Sequence, residues 1–180
     1  MDKIIGILIL AVGAFFLVND KDESKTEPKV IDSVDDPVDE PEQDTRPRGI
    51  KNNNPGNIKI SGSGWTGKVS PNTDGTFEQF DTAENGIRAL AKLLVKYYAD
   101  YNLLTVKDIL DRYAPGVEND SVAYVDFVSN KMGVQPDDQL TFPNQLTALV
   151  NAIIKYENGI NPYPFIVVSN GIQSAGVKLS

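Results

Sequence analysis

Arg48–Ile60 reads R-G-I-K-N-N-N-P-G-N-I-K-I, and the fold turns on how this stretch is taken. Three successive asparagines followed by Pro55-Gly56 are poor helix and strand material. Asn tolerates left-handed backbone and bonds its own main chain, while Pro-Gly sets a tight turn. The next residues, Asn57 to Ile60, can start a strand. An amide-rich turn at the mouth of a hairpin is either plain architecture or a surface that hydrogen-bonds a polar ligand.

Outward to the C-terminal side, Asn57–Ile60 alternates, Ser61-Gly62-Ser63-Gly64 turns, and Trp65–Val69 alternates back. That pattern predicts a β-hairpin. Ser70–Gly75 turns again and leads into Thr76–Phe80, a third short strand. Trp65, the single tryptophan, either anchors the core or offers a flat face to a sugar ring.

Four helices are then predicted. Ala83–Tyr101 carries Ile87, Leu90, Ala91, Leu94, Tyr97, Tyr98 and Tyr101 at helical spacing, with Asp81 or Thr82 as its cap. A second begins after Thr105, whose capping box includes Asp108, and stops at Ala114-Pro115-Gly116. A third, capped by Glu118-Asn119-Asp120-Ser121, runs through Met132 to Gly133. The fourth runs from about Pro143 to Tyr156 and ends at Asn158-Gly159, a left-handed stop. The expected class is α+β, a hairpin plus about four helices. The tail 164–180 contains Phe165-Ile166-Val167-Val168, which adds a strand or a docking segment.

On the N-terminal side, Ile4 to Val18 is an unbroken apolar or glycine run behind Met1-Asp2-Lys3. At 1.5 Å per residue it covers about 22 Å, short of the ~30 Å hydrocarbon core. Lys3 and the length suit a secretory signal, but no small-residue cleavage site follows. A single-pass anchor over residues 1–19 fits better, with Asn19 and lysine flanks bridging the mismatch. The expected location is therefore a membrane: a virion's internal membrane, or a bacterial inner membrane with the domain facing the periplasm. Residues 20–47 are acidic and proline-dotted, which reads as a disordered, self-repelling linker.

Composition removes whole classes of chemistry. There is no cysteine and no histidine in the 180 residues. Thiol nucleophiles, Ser-His-Asp triads, zinc ribbons and imidazole-ligated metals are therefore absent. Acid–base catalysis would have to come from carboxylates, assisted by Tyr, Lys or amides. Nothing calls for a metal or a cofactor. The net charge of −8 is also unevenly placed. Residues 19–47 hold eleven acidic and four basic side chains, and residues 48–180 hold thirteen and twelve. A nearly neutral domain lacks the basic footprint of a nucleic-acid binder.

Two carboxylates stand out. The apolar stripe of the fourth helix, Leu146, Leu149, Val150, Ile153 and Ile154, continues by three or four residues onto Glu157. A carboxylate on a buried helix face is desolvated and sits at the negative end of the dipole, and both effects raise its pKa. That is what a general acid for glycosidic cleavage requires. The alternative is a frayed last turn with Glu157 in water. Glu118 lies before a helix N-terminus, which suits an ionised carboxylate or a simple cap.

R-G-I-K-N-N-N-P-G-N-I-K, W-T-G, F-E-Q-F, G-I-R-A, A-P-G-V-E-N-D-S with Tyr124, and E-N-G-I-N-P-Y together resemble phage peptidoglycan-degrading proteins. These are virion-associated lytic transglycosylases or muramidases, including those of membrane-containing tailless phages. The resemblance covers about residues 48–163. It implies a small lysozyme-like α+β catalytic domain that cuts the MurNAc-GlcNAc strand during genome entry. The partners implied are peptidoglycan, lipid at residues 4–18 and other virion proteins, with no nucleic acid. A weaker similarity, to flagellar-rod glucosaminidases, matches Asn54–Lys59, Trp65-Thr66-Gly67 and Phe77–Phe80. There a helix ending in the catalytic Glu precedes these pieces; here the matching helix end, Ile153–Glu157, follows them. The comparison implies a circularly permuted domain with Glu157 as acid and Glu118 as second choice. Asn53, Asn54, Asn57, Trp65, Asn119 and Tyr124 would then bind substrate. A transglycosylase needs one carboxylate, whereas a hydrolase normally needs a second. Asp74 and Glu78 are poor candidates for it. A hydrolytic muramidase or glucosaminidase, and a non-enzymatic glycan-binding structural protein, are the other readings.

Overall fold

A computed structural model describes residues 43–116 and 118–177, without the side chains of 118–120. Six helices make up its regular structure: α1 (Arg48–Lys51), α2 (Ala83–Asp100), α3 (Val106–Tyr113), α4 (Glu118–Met132), α5 (Leu146–Asn158) and α6 (Phe165–Ser174). The expected caps of α2 and α3 are present. Thr82 Oγ1 accepts from the Asn85 amide at 3.2 Å, and Thr105 Oγ1 accepts from Asp108 at 3.0 Å. Gly159 closes α5 in the left-handed region at φ 68°.

The α+β expectation is overturned. Among the described residues there is no strand, only isolated antiparallel bridges, Lys59 with Phe77, Lys68 with Phe80 and Thr105 with Gln139. The two arms of the predicted hairpin do not pair with each other. Each pairs briefly with the 76–81 segment instead: Ile60 N donates to Thr76 O, Glu78 N to Ile58 O, and Val69 N to Gln79 O. The reason is the amide content that made the stretch recognisable. Asn54 Nδ2 donates to both Ile58 O and Glu78 O at 2.9 Å, and Asn54 Oδ1 accepts from Ile58 N. Asn53 Nδ2 takes Phe80 O, and Asn72 Nδ2 takes Phe77 O. Side chains satisfy backbone groups that a ladder would otherwise use, so no ladder forms.

The expected membrane placement is corrected as well. Among the described residues no helix is long and apolar enough to cross a membrane. The run 4–18, on which the single-pass expectation rested, lies outside the described residues, as does the linker up to residue 42.

The core is built on α5. Leu146, Leu149, Val150, Ile153 and Ile154 are fully buried, together with Ile87, Leu90 and Leu94 of α2 and Val106 and Ile109 of α3. Helix α5 packs against α1, α2, α4 and α6. The tail's Phe-Ile-Val-Val run is a helix rather than a strand. It buries Val168 and Ile172 against α2, where Gly171 approaches so closely that a β-carbon would lie 2.6 Å from Ile87 Cγ2.

Candidate active site

The stripe on α5 ends where the sequence places it. The helix continues through Asn158, so Glu157 belongs to its last turn and is half-buried. Tyr124 of α4 donates its hydroxyl to Glu157 Oε1 at 2.8 Å. Asn57 Nδ2 donates to Oε2 at 2.9 Å and lies 3.4 Å from the Glu157 carbonyl. Two segments far apart in the chain, the loop at Asn57 and α4, thus hold one carboxyl group of a third. Each carboxyl oxygen keeps a second lone pair for a proton or a ligand.

The supports are themselves fixed. The Tyr124 ring, only 4% exposed, stacks on Tyr156 with centroids 3.8 Å apart and planes 12° apart. Asn57 stands at φ 50°, the left-handed backbone that Asn accommodates. Asn158 Nδ2 donates to Pro55 O at 2.7 Å and to Ile154 O at 2.9 Å, tying the Pro-Gly turn to the end of α5. Tyr113 donates its hydroxyl to Gly56 O. Burial first, and the Glu157 charge second, push the hydroxyls of Tyr113 and Tyr124 far above the ordinary tyrosine value. Both stay protonated donors across the pH range of the folded protein.

Glu157 opens into a cleft of about 610 Å³. It is lined by Asn57–Lys59, Ser61, Ser63, Trp65 and Phe77. Leu93 and Tyr97 of α2, Tyr113 and the Ala114-Pro115-Gly116 turn complete the lining. Among the described residues Glu157 is the one carboxylate in this lining. No group of His, Cys, Asp or Glu among them could hold a metal ion.

The remaining expected residues fall in different places. Trp65 lines the cleft and also packs on the core. Asn53 and Asn54 do not reach the cleft. Asn54 is completely buried, and both spend their amides on the 58–81 backbone. Glu118 and Asn119 open α4 two residues beyond the cleft-lining Gly116, but their side chains lie outside the described residues. Asp74 is occupied elsewhere. It takes Arg48 Nε at 2.7 Å and Nη2 at 2.6 Å, Asn52 Nδ2 at 2.7 Å, and the amides of Thr76 and Phe77. Glu78 is fully buried, accepting from Ser61 N at 2.9 Å and pairing with Lys68 at 2.9 Å. Tyr97, Tyr113, Phe77, Lys59 and the two serines were not singled out as cleft residues. Only Tyr113's place beside the Ala-Pro-Gly helix stop hinted at it.

Fold and site define a small domain of packed helices whose aromatic-walled cleft ends on one braced carboxylate. The chain belongs to the family of Protein P5 of Pseudoalteromonas phage PM2. It is 40% identical to that protein over 132 residues, which span 70% of this chain and 80% of the relative. No family model matches it.

Proposed function

We propose that this phage-family protein cleaves the glycan strand of peptidoglycan by lytic transglycosylation, with Glu157 as the single general acid and base. The observation that carries the reading is Glu157 itself, opening into the cleft with its carboxyl held by Tyr124 and Asn57. A hydrolase that activates water or forms a glycosyl-enzyme normally needs a second carboxylate across the bond. A transglycosylase does not. Protonated Glu157 gives its proton to the leaving glycosidic oxygen as the C–O bond breaks. The resulting carboxylate then takes the proton of the sugar's own hydroxyl as that oxygen closes on the anomeric carbon, so no water is consumed.

The surroundings support this use. Trp65, Phe77, Tyr97 and Tyr113 give the cleft an aromatic lining against which sugars can pack, and Ser61, Ser63 and Asn57 supply polar groups. Tyr124 and Asn57 hold the carboxyl in one orientation. Membership of a phage family fits a protein that meets the bacterial wall, and the motif resemblance assigns that meeting to a virion component during genome entry.

Glu157→Gln in the full-length protein is expected to abolish clearing of peptidoglycan by at least a hundredfold, the scale of lost acid–base catalysis, with an unchanged circular-dichroism spectrum. Clearing at the wild-type rate would overturn the assignment. Mass spectrometry of wild-type digests should show anhydro-muramyl ends. Reducing ends would establish hydrolysis instead.

A further inference from the structure

The cleft does not stop at Trp65. A second depression, of about 290 Å³, borders the same indole. It shares Trp65 and Leu93 with the first and continues along α2 past Lys92, Val95, Lys96 and Ala99 to Asp100, with Ala175 at its edge. Leu93, Tyr97 and Asp100 follow one another at helical spacing, so the two depressions share one continuous face of α2. The Trp65–Leu93 saddle joins them into a groove suited to a polymer rather than to one small molecule.

The charges in this groove are ordered. Lys96 is spoken for, paired with Asp100 at 2.6 Å, and the two cancel. Lys92 in the second depression and Lys59 in the first are exposed and make no ion pair among the described residues. Away from Glu157, the groove therefore offers one uncompensated cation on each side of the saddle.

The geometry points to a second binding site across Trp65, in which Lys92 receives a carboxylate carried by a substituent of the glycan strand. The ligand class is an acidic glycan, whose rings bear carboxylate groups at intervals, in contrast to a neutral β-linked glycan of the same length. The inference rests on the glycan-cleaving reading for its choice of polymer, but its test reads binding and not cleavage. Lys92 touches no group that Glu157 needs, so the site selects and retains substrate without entering the chemistry.

The test uses full-length Glu157→Gln protein, which holds substrate without turning it over, and the fluorescence of its single tryptophan, Trp65, at the saddle. The probes are muramic-acid-containing glycan oligomers and neutral chitin oligomers of equal length. Lys92→Glu in that background should weaken acidic-glycan binding about fivefold or more and flatten its salt dependence. Chitin-oligomer binding should not change, which also reports that the fold is intact. Lys92→Gln should fall between the two. Equal affinity of Lys92→Glu and its parent for the acidic glycan would overturn the site. So would equal losses for both glycans, or no binding of either. If Glu157→Gln retains full clearing activity, the catalytic assignment fails while the Lys92 result still stands or falls by itself.

Discussion

Gly49 has no room for a side chain. A β-carbon there would lie 2.5 Å from Asn158 Oδ1, 2.6 Å from Asn57 Oδ1 and 2.9 Å from the Asn54 carbonyl. Those two amide oxygens are buried and accept no conventional hydrogen bond, so they close directly on the bare glycine. The same two asparagines brace the end of α5, one through Pro55 and the other on the Glu157 carboxyl. Gly49→Ala must therefore push Asn57 or Asn158 away. It should destabilise the domain by about 1–3 kcal/mol, as overpacking does, and lower clearing activity by more than the loss of folded protein explains. Thermal melts beside activity assays on the remaining folded fraction would check it. Loss of stability with unchanged specific activity would separate Gly49 from the site.

At the level of elements, the helices were legible because their ends are chemically marked. Thr82, Thr105, Gly133 and Gly159 stand where the helices start or stop, and the α5 stripe is buried as its spacing requires. The strands of the 57–80 segment were misread, and of the two alternatives for the tail the strand fails while the docking segment stands. The Phe-Ile-Val-Val run has strand-like composition, but Gly171 lets α6 settle on Ile87 of α2, and tertiary packing overrides the propensity. The 57–80 segment alternates like strands, yet its ties run through Asn, Gln, Glu and Asp side chains, which alternation does not reveal. Asp74 is the most heavily engaged of these. The Arg48 guanidinium, then the amides and Asn52, hold its carboxyl well below the usual range. The sign follows from linkage: a depressed carboxylate contributes stability above the unfolded value near 3.9, and loses it as pH falls toward the folded value. Asp74→Asn should therefore lower the urea midpoint at pH 7, and the deficit should shrink progressively below about pH 4. A constant deficit from pH 7 to pH 3 would show that Asp74 does not act through its charge.

For the whole molecule, the site is an assembly problem that no local pattern contains. Glu157 could be found from one helix, because a stripe that reaches its last turn ends on a carboxylate. Asn57 lies 100 residues from it and Tyr124 lies 33 away, so only the docking of the Pro55–Asn57 turn and of α4 on α5 brings them together. Motif resemblance pointed to both residues, but also to Asn53 and Asn54, whose amides belong to the backbone of the loop. Since the cleft draws on the 57–77 loop, α2, the turn after α3 and α5, an unfolded chain presents nothing equivalent to a glycan strand. Binding must then stabilise the domain as one unit. At a hundred times its dissociation constant, a ligand of the native state alone adds about 2.7 kcal/mol. For a domain of this size that is a rise in melting temperature of about 5–10 °C. Peptidoglycan oligomers added to the Glu157→Gln protein should produce that rise in a single transition. A rise confined to part of the unfolding curve would mean that the cleft walls melt separately, and that the braced carboxylate does not depend on the whole core for its position.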